Sequence, residues 1–406
     1  MREGRPGCHP LRLAVALAVG PAVAQGLSRF AYALLLPSMR SDLNWTYATA
    51  GAMNTANSIG YLFGSLIATS VGRKVGLRQS FLGGMIGCSL ALGLTAASSN
   101  TVALLIFRIL AGVFAAVVFV AGATIVTNLG SGRASRGAAA IAVYLSGVGL
   151  GIAASGLLIP ALDALAGQPE WRLEWLALAA LSVAVLPAAW LGARLANVEP
   201  AGPAAMKNFP IRSVGPLLVA YTLFGAGYIG YMTFIVAYLH PQFEADNLEV
   251  SAFWFILGLA GMVAPLAWSP IVDILSPRVG TSALISAVAL ATTIPLLWPG
   301  KLGAIVSAVL FGGSFLAAIT AITAAVRKLL PPQYWAAAVG VLTTGFAFGQ
   351  CAGPVLSGIV SDAPGGLSSG LSVSAGILTF AAILALTQRS DSRASSQISD
   401  VTTETT

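Results

Sequence analysis

Apolar residues run through the chain in stretches too long for a surface helix and without the strict alternation of a half-buried strand. They fall at about Leu11–Pro37, Thr46–Val71, Ser80–Ala97, Thr101–Asn128, Gly137–Leu162, Trp171–Leu195, Val214–Leu239, Ser251–Ile274, Thr281–Trp298, Leu302–Val326, Tyr334–Val360 and Leu367–Leu386. Each is close to the roughly 20 residues that a helix needs to cross the hydrocarbon of a bilayer. The pattern therefore predicts an all-α polytopic membrane protein with twelve transmembrane helices. The breaks carry turn chemistry, as at Gly72-Arg73-Lys74, Ser98-Ser99-Asn100, Gly130-Ser131-Gly132-Arg133, Pro331-Pro332 and Ala363-Pro364-Gly365-Gly366. The first stretch has arginines ahead of it and Ala22-Val23-Ala24 before Gln25, which imitates a signal peptide. Its apolar pattern continues to Leu36, too far for such a signal, and an uncleaved first span is expected.

Composition narrows the class further. Of 406 residues 57% are hydrophobic and 9% charged, against about 25% charged in an ordinary soluble domain. With so few charges a chain of this size cannot coat a water-facing surface, which excludes a soluble enzyme and a disordered protein. Three cysteines do not make a disulfide framework. Cys88 and Cys351 lie inside apolar runs, and His9 and His240 are far apart, so no metal site or nucleophile-base pair can be assembled. No Gly-x4-Gly-Lys-Ser/Thr loop is present, which argues against nucleotide drive. Neither enzyme activity nor a cofactor is expected.

The formal charge of +7 is a topology signal. With the N-terminus inside, sixteen of the 21 basic residues fall in inside segments, and only Arg40, Arg172 and Lys301 fall outside. That asymmetry places both ends in the cytoplasm and disposes of nucleic acid as a partner, because the charge is spread over many loops. Residues 1–196 then hold six spans, 197–212 form a cytoplasmic linker, 213–388 hold six more, and 389–406 form a disordered tail rich in Ser, Thr, Asp and Arg. A faint echo joins the halves. Arg73-Lys74-Val75-Gly76-Leu77-Arg78 follows span two, and Asp273 with Pro277-Arg278-Val279-Gly280 follows span eight.

These features resemble the major facilitator superfamily of secondary transporters over residues 11–388. Lys74, Gly76 and Arg78 match its loop motif after span two, with Arg73 where that motif has an acid and Asp273 available in the other half. Arg108-x-x-x-Gly112 is similar to its span-four motif, and Gly147, Gly149, Gly151, Gly156 and Pro160 partly resemble the glycine-rich motif of its antiporters. Gly26-Leu27-Ser28-Arg29-Phe30-Ala31-Tyr32, then Leu34 to Arg40, and Gly60-Tyr61-Leu62 resemble the bacterial YbfB/YjiJ branch. The resemblance implies two pseudo-symmetric six-helix bundles, alternating access across a bacterial inner membrane, and a path lined by spans one, four, seven and ten. It also implies a gating role for Lys74, Gly76, Arg78, Asp273 and Arg278.

Two basic residues, Arg29 and Arg108, lie inside spans. A charge at mid-membrane costs at least ~2.5–3.5 kcal/mol and is kept when it meets a cavity, a partner or a substrate. All 14 acids fall in or beside loops, Glu174 among them, so no carboxylate is left at mid-depth. Two forked cations without a counter-ion suit a small organic anion, most simply a carboxylate. The alternative for Arg108 is a helix-packing role with bonds to backbone carbonyls. Gln25, Arg29 and Tyr32 form one stripe, and Asn54, Asn57, Ser58 and Tyr61 another. Phe224, Tyr228 and Tyr231 share a face of span seven, and Thr343, Phe346 and Gln350 one of span eleven. The candidate substrate site is Arg29, Arg108, Tyr32, Gln25, Asn57, Tyr228, Phe224 and Gln350, with interhelical hydrogen bonding as the competing role for each polar member. Trp254 reads as an interface anchor. The partners expected are a small anionic molecule and lipid, for a monomer; a proton-driven exporter of hydrophobic or anionic compounds, or a membrane sensor, are the other readings.

Overall fold

The computed structural model describes residues 10–129, 134–167, 169–196, 211–242 and 247–388, and the side chains among them except at 134–138, 242, 247, 269, 273 and 336. Among the described residues twelve long helices follow one another: α1 (Pro10–Asp42), α2 (Tyr47–Val75), α3 (Leu77–Ala96), α4 (Thr101–Leu129), α5 (Ala134–Ala166), α6 (Trp171–Leu195), α7 (Gly215–Gln242), α8 (Asn247–Ile274), α9 (Pro277–Leu297), α10 (Lys301–Leu329), α11 (Trp335–Ser361) and α12 (Gly366–Leu386). Among the described residues there is no strand. The expected 389–406 tail and most of the expected 197–212 linker lie outside the described residues.

Eleven helices among the described residues are long and apolar enough to cross a membrane. The twelfth, α2, has the same 29-residue length as α4 but carries Asn54, Thr55, Asn57 and Ser58 near its middle. These residues are turned onto neighbouring helices, and α2 points Phe63, Leu66 and Ile67 outward. The same inversion holds elsewhere: large apolar side chains such as Leu90, Val102, Leu157 and Leu302 are exposed, as a lipid-facing surface requires.

Glycine decides how closely the helices approach, and it does so in matched pairs. A Cβ at Gly147 or Gly151 of α5 would lie 1.9 or 2.2 Å from the carbonyls of Ala18 and Ala22 on α1. In the second half, Cβ atoms at Gly349 and Gly353 of α11 would lie 1.8 and 2.1 Å from the carbonyls of Thr222 and Ala226 on α7. Gly112 of α4 sits on the Asn57 carbonyl of α2, and Gly312 of α10 sits on the Leu257 carbonyl of α8, at 2.0 and 2.2 Å by the same measure. Small residues that let backbones touch are the usual device of membrane helix packing. Their repetition in both halves makes the architecture two pseudo-symmetric six-helix bundles.

One face carries the turns at 75–77, 274–277 and 329–335 together with the ends of α6 and α12; it is the linker face, and the opposite one is the distal face. The halves meet along α2–α11 and α5–α8. Gly51 packs on the Pro354 carbonyl, Gly358 on Tyr47, and Gly149 on Gly258 and Met262. Asn54 donates to Thr233 Oγ1 at 2.6 Å and Thr55 to the Cys351 carbonyl at 2.8 Å. Trp254 Nε1 donates to Ser155 Oγ at 3.2 Å. Trp254 is fully buried there, which corrects its expected place as an interface anchor: it lies between the bundles. At the distal face Asp362 accepts from the amides of Tyr47 (2.7 Å) and Ala48 (2.9 Å). The bonds recorded between the halves therefore lie from mid-depth to the distal face.

Candidate functional site

α1 is continuous but irregular. Pro21 has no amide hydrogen to give the helical ladder, and from Ala22 to Phe30 the chain widens into a π-helix, closed by Ala31 N donating to the Gly26 carbonyl at 2.9 Å. Such widened turns mark functional stretches in many helices. Here the widened stretch holds Gln25, Ser28 and Arg29, all of them buried.

The Arg29 guanidinium is 2% exposed. Nη2 donates to Ser58 Oγ at 2.8 Å, and Ser58 Oγ donates in turn to the Asn54 carbonyl at 3.0 Å. Its carbon lies 5.5 Å from the Tyr61 ring and 5.9 Å from the Phe30 ring, and Nε has no partner. Arg108 is 1% exposed. Nη1 donates to the Ser28 carbonyl at 2.6 Å, the residue just before Arg29, while Nε and Nη2 have no partner. The rings of Tyr32 and Trp175 lie 5.1 and 5.4 Å from its carbon. The two ion pairs recorded among the described residues, Arg172–Asp42 and Lys301–Glu249, are both at helix ends. Among the described residues neither central guanidinium is paired with a carboxylate.

The other expected members divide between the halves. Gln25 faces Tyr61, as Arg29 does. Tyr32 leaves that stripe: its hydroxyl donates to the Ala50 carbonyl at 2.8 Å and its ring lies under Arg108. The π-turn explains the split, since at more than four residues per turn the Gln25, Arg29, Tyr32 spacing no longer keeps one face. Asn57 Nδ2 donates to the Arg108 carbonyl at 3.3 Å, in the α2–α4 seam, and Oδ1 is unpartnered.

In the second half Gln350 Nε2 donates to Tyr228 Oη and its Oε1 is unpartnered. Phe224 and Tyr228 belong to a column of near-parallel rings. Phe346 lies 4.4 Å from Tyr221, 6.0 Å from Phe224 and 5.6 Å from Tyr228; beyond Tyr228 the column runs through Phe315 and Phe311 to Tyr231. Phe30 meets Phe315 edge-on at 6.1 Å, and Tyr228 lies within electrostatic range of Arg29. The centre thus joins a charged, donor-rich wall from α1 and α4 to an aromatic wall from α7, α10 and α11. Asn54 Oδ1, Asn57 Oδ1 and Gln350 Oε1 are open acceptors beside these donors.

The loop residues lie apart from this centre. Gly76 has φ +98°, the left-handed region that favours glycine, and turns the chain from α2 into α3. Arg78 donates from Nε and Nη2 to the carbonyls of Ala193 and Arg194, holding α3 to the end of α6. Lys74 and Arg278 are exposed on the linker face. The side chain of Asp273 lies outside the described residues. Lys328, unremarked in the sequence, donates to the carbonyls of Val272 and Leu275 and caps α8.

Trp175 and Phe315 have no role in the sequence reading, and Asp362 and Glu174 are expected there only in or beside loops. Glu174 stands beside the distal loop as expected, but in the first turn of α6 its side chain is only 2% exposed, which the sequence reading did not anticipate. The spacing Trp171, Glu174, Trp175, Leu178 places it on the buried face, a signal that its closeness to the end of an apolar run concealed.

The fold has solved counterparts. The nucleoside transporter NupG superposes with TM-score 0.69 at 16% identity over 93% of this chain and 97% of that one. A bacterial homologue of the human lysosomal transporter Spinster, in an inward-facing, unoccupied conformation, gives 0.70 at 15% identity over 94% and 97%. At these identities the likeness is one of fold. Among curated relatives, the uncharacterized MFS-type transporter YceJ of Bacillus subtilis is 23% identical over 262 residues, 60% of this chain and 63% of that protein. The chloramphenicol resistance protein of Streptomyces lividans is 30% identical over 171 residues, 41% of each. The chain thus spans less than two thirds of either relative's length. The family model described as "Uncharacterised MFS-type transporter YbfB" matches residues 21–386, and the chain belongs to that family of major facilitator transporters.

Proposed function

We propose that this chain is a secondary carrier of the bacterial inner membrane that moves a small organic anion, a carboxylate, by alternating access. The observation that carries the reading is the pair Arg29 and Arg108. Three guanidinium nitrogens of these two buried residues have no partner, and among the described residues no carboxylate is paired with either. A buried unpaired cation is costly, and a bidentate carboxylate offers the geometry that a guanidinium fork matches. The aromatic column on the facing wall suits an apolar body attached to that carboxylate.

The basic residues favour a linker face on the cytoplasmic side, with both termini there. Contacts between the halves then lie toward the outside, and rocking about the central site exposes each wall in turn. Drive by protons or by exchange of anions, and action as a monomer in lipid, belong to the same proposal.

The test is counterflow in proteoliposomes with a panel of labelled carboxylates, in wild type and Arg29→Ala. Saturable carboxylate exchange that disappears in the variant supports the reading; exchange that survives it unchanged sinks the reading. A second reading, export of neutral or anionic aromatic compounds, is favoured by the same ring column and by the chloramphenicol resistance relative. Raised chloramphenicol tolerance in cells making the wild type, retained in Arg29→Ala, would favour export instead.

A further inference from the structure

Glu174 is buried on the face of α6 that also buries Trp171, Trp175, Leu178 and Ser182, and no cation or side-chain donor is bonded to its carboxyl oxygens. In membrane interiors an ionisable group kept in this way points to function. The group facing it is another carboxyl, Asp163 near the end of α5, whose Oδ1 is also unpartnered. Asp163 is partly exposed on the distal face, so the pair joins a buried oxygen to the surface.

Among the described residues the charges that reach Glu174 are those of Asp163 and Glu170, and no cation is one of them. Arg172 bonds Asp42 at 3.3 Å and Ser99 at 2.6 Å, Arg40 lies over the Tyr47 ring at 3.9 Å, and Arg108 bonds the Ser28 carbonyl. Glu170, one turn before Glu174, adds further negative charge, and Asp42 is held by Arg172 and Trp171 Nε1. α3 brings only Arg78 to α6, at the opposite end. Two carboxyls face to face without a cation cannot both be ionised at little cost; one proton between them resolves the conflict. Among the described residues no three acids, histidines or cysteines are grouped to hold a metal ion, so the chemistry suits a proton.

We propose that Asp163 and Glu174 bind a single proton between them at the distal end of the first half, and that this is the coupling proton of the carrier. The proton arrives from water at Asp163 and rests against Glu174. The next residue, Trp175, lies against Arg108 with its ring 5.4 Å from the guanidinium carbon, so α6 carries both Glu174 and a ring that touches the anion site. The coupling role rests on the transport reading above; the shared proton does not.

Two measurements on the full-length protein keep those apart. Infrared difference spectra against pH need no substrate. The wild type should show a titrating carboxylic-acid band that Glu174→Gln removes and Glu170→Gln leaves in place, with Asp163→Asn moving its midpoint by about one pH unit or more. A wild type without the band, a band that survives Glu174→Gln, or a midpoint indifferent to Asp163→Asn overturns the shared proton. In proteoliposomes with the carboxylate panel, Glu174→Gln should lower pH-gradient-driven accumulation at least about tenfold more than it lowers counterflow. Equal losses, or none, overturn the coupling role. A wild type that carries none of the panel counts against the anion reading, and the infrared result then stands by itself.

Discussion

The two halves of this protein pack alike and are furnished differently. Their close contacts repeat, with Gly112 on Asn57 answered by Gly312 on Leu257, and Gly147 and Gly151 answered by Gly349 and Gly353. That register sets Arg108, four residues before Gly112, opposite Ala308, four before Gly312, and sets Asn57 opposite Leu257. The first half presents guanidinium groups with open donors; the second presents stacked rings and one Gln–Tyr bond. Backbone seams tolerate little change, because a Cβ there would collide with a carbonyl. Central side chains are bound by no such limit, and under the proposed function the halves would divide the work, charge on one wall and apolar contact on the other.

The largest effect should come from removing charge. Arg29→Ala and Arg108→Ala each lose hydrogen bonds to a charged group, worth roughly 1.5–3 kcal/mol, so carboxylate counterflow should fall about a hundredfold. Arg108→Ala should also lower thermal stability in detergent, because its Nη1 holds the Ser28 carbonyl of the π-turn. Arg29→Ala, whose bond is to a hydroxyl already engaged with Asn54, should cost less stability. Equal stability losses would show that both arginines serve packing and would break the contrast between the walls.

The seams should respond symmetrically. Gly151→Ala and Gly353→Ala each place a Cβ about 2 Å from a carbonyl in matched helix pairs, at 2.2 and 2.1 Å. Overpacking of this kind costs typically ~1–3 kcal/mol. Melting of the purified protein should show similar destabilisation for both, and a large loss in one half alone would argue against the shared architecture. On the aromatic wall, Phe346→Ala removes the ring common to Tyr221, Phe224 and Tyr228. Half-saturation for aromatic carboxylates should rise about tenfold, in line with ring contacts of ~0.5–1.5 kcal/mol beyond their buried area, and that for short aliphatic ones much less. An equal rise for both classes would remove the apolar body from the recognition scheme.

The helices were legible because hydrophobic length and basic loops report on the bilayer directly, and α2 was recovered even though its polar middle weakens its apolar signal. Arg29, Arg108, Tyr228 and Gln350 were legible because a polar group in an apolar run must be accounted for. The π-turn was not, since nothing in Gly20-Pro21-Ala22 distinguishes a widened ladder from a kink, and the stripe through Tyr32 failed there. Nor was the approach of Asp163 to Glu174, two residues that the sequence places only in or beside loops. Asp362 was filed with the loops for the same reason, although its carboxylate crosses from one half to the other.

That carboxylate carries the smallest effect and the sharpest contrast between the two faces. It caps the start of α2 with bonds of 2.7 and 2.9 Å, where the positive end of the helix favours an anion. The site is exposed, so solvent screening reduces the gain to about 1 kcal/mol, as for other surface charge contacts. Because the bond joins the halves, it favours only states closed at the distal face. Asp362→Ala should therefore shift the population toward distal opening about fivefold, since RT ln 5 is about 1 kcal/mol. A cysteine placed at Ala48 should then label faster with a membrane-impermeant thiol reagent, and Asp362→Asn should give a smaller increase because it retains one acceptor. Labelling that is unchanged in Asp362→Ala would mean that the glycine seams alone, Gly51 on Pro354 and Gly358 on Tyr47, hold the distal face shut. Contact between the halves would then be a matter of backbone fit, with charge confined to the centre.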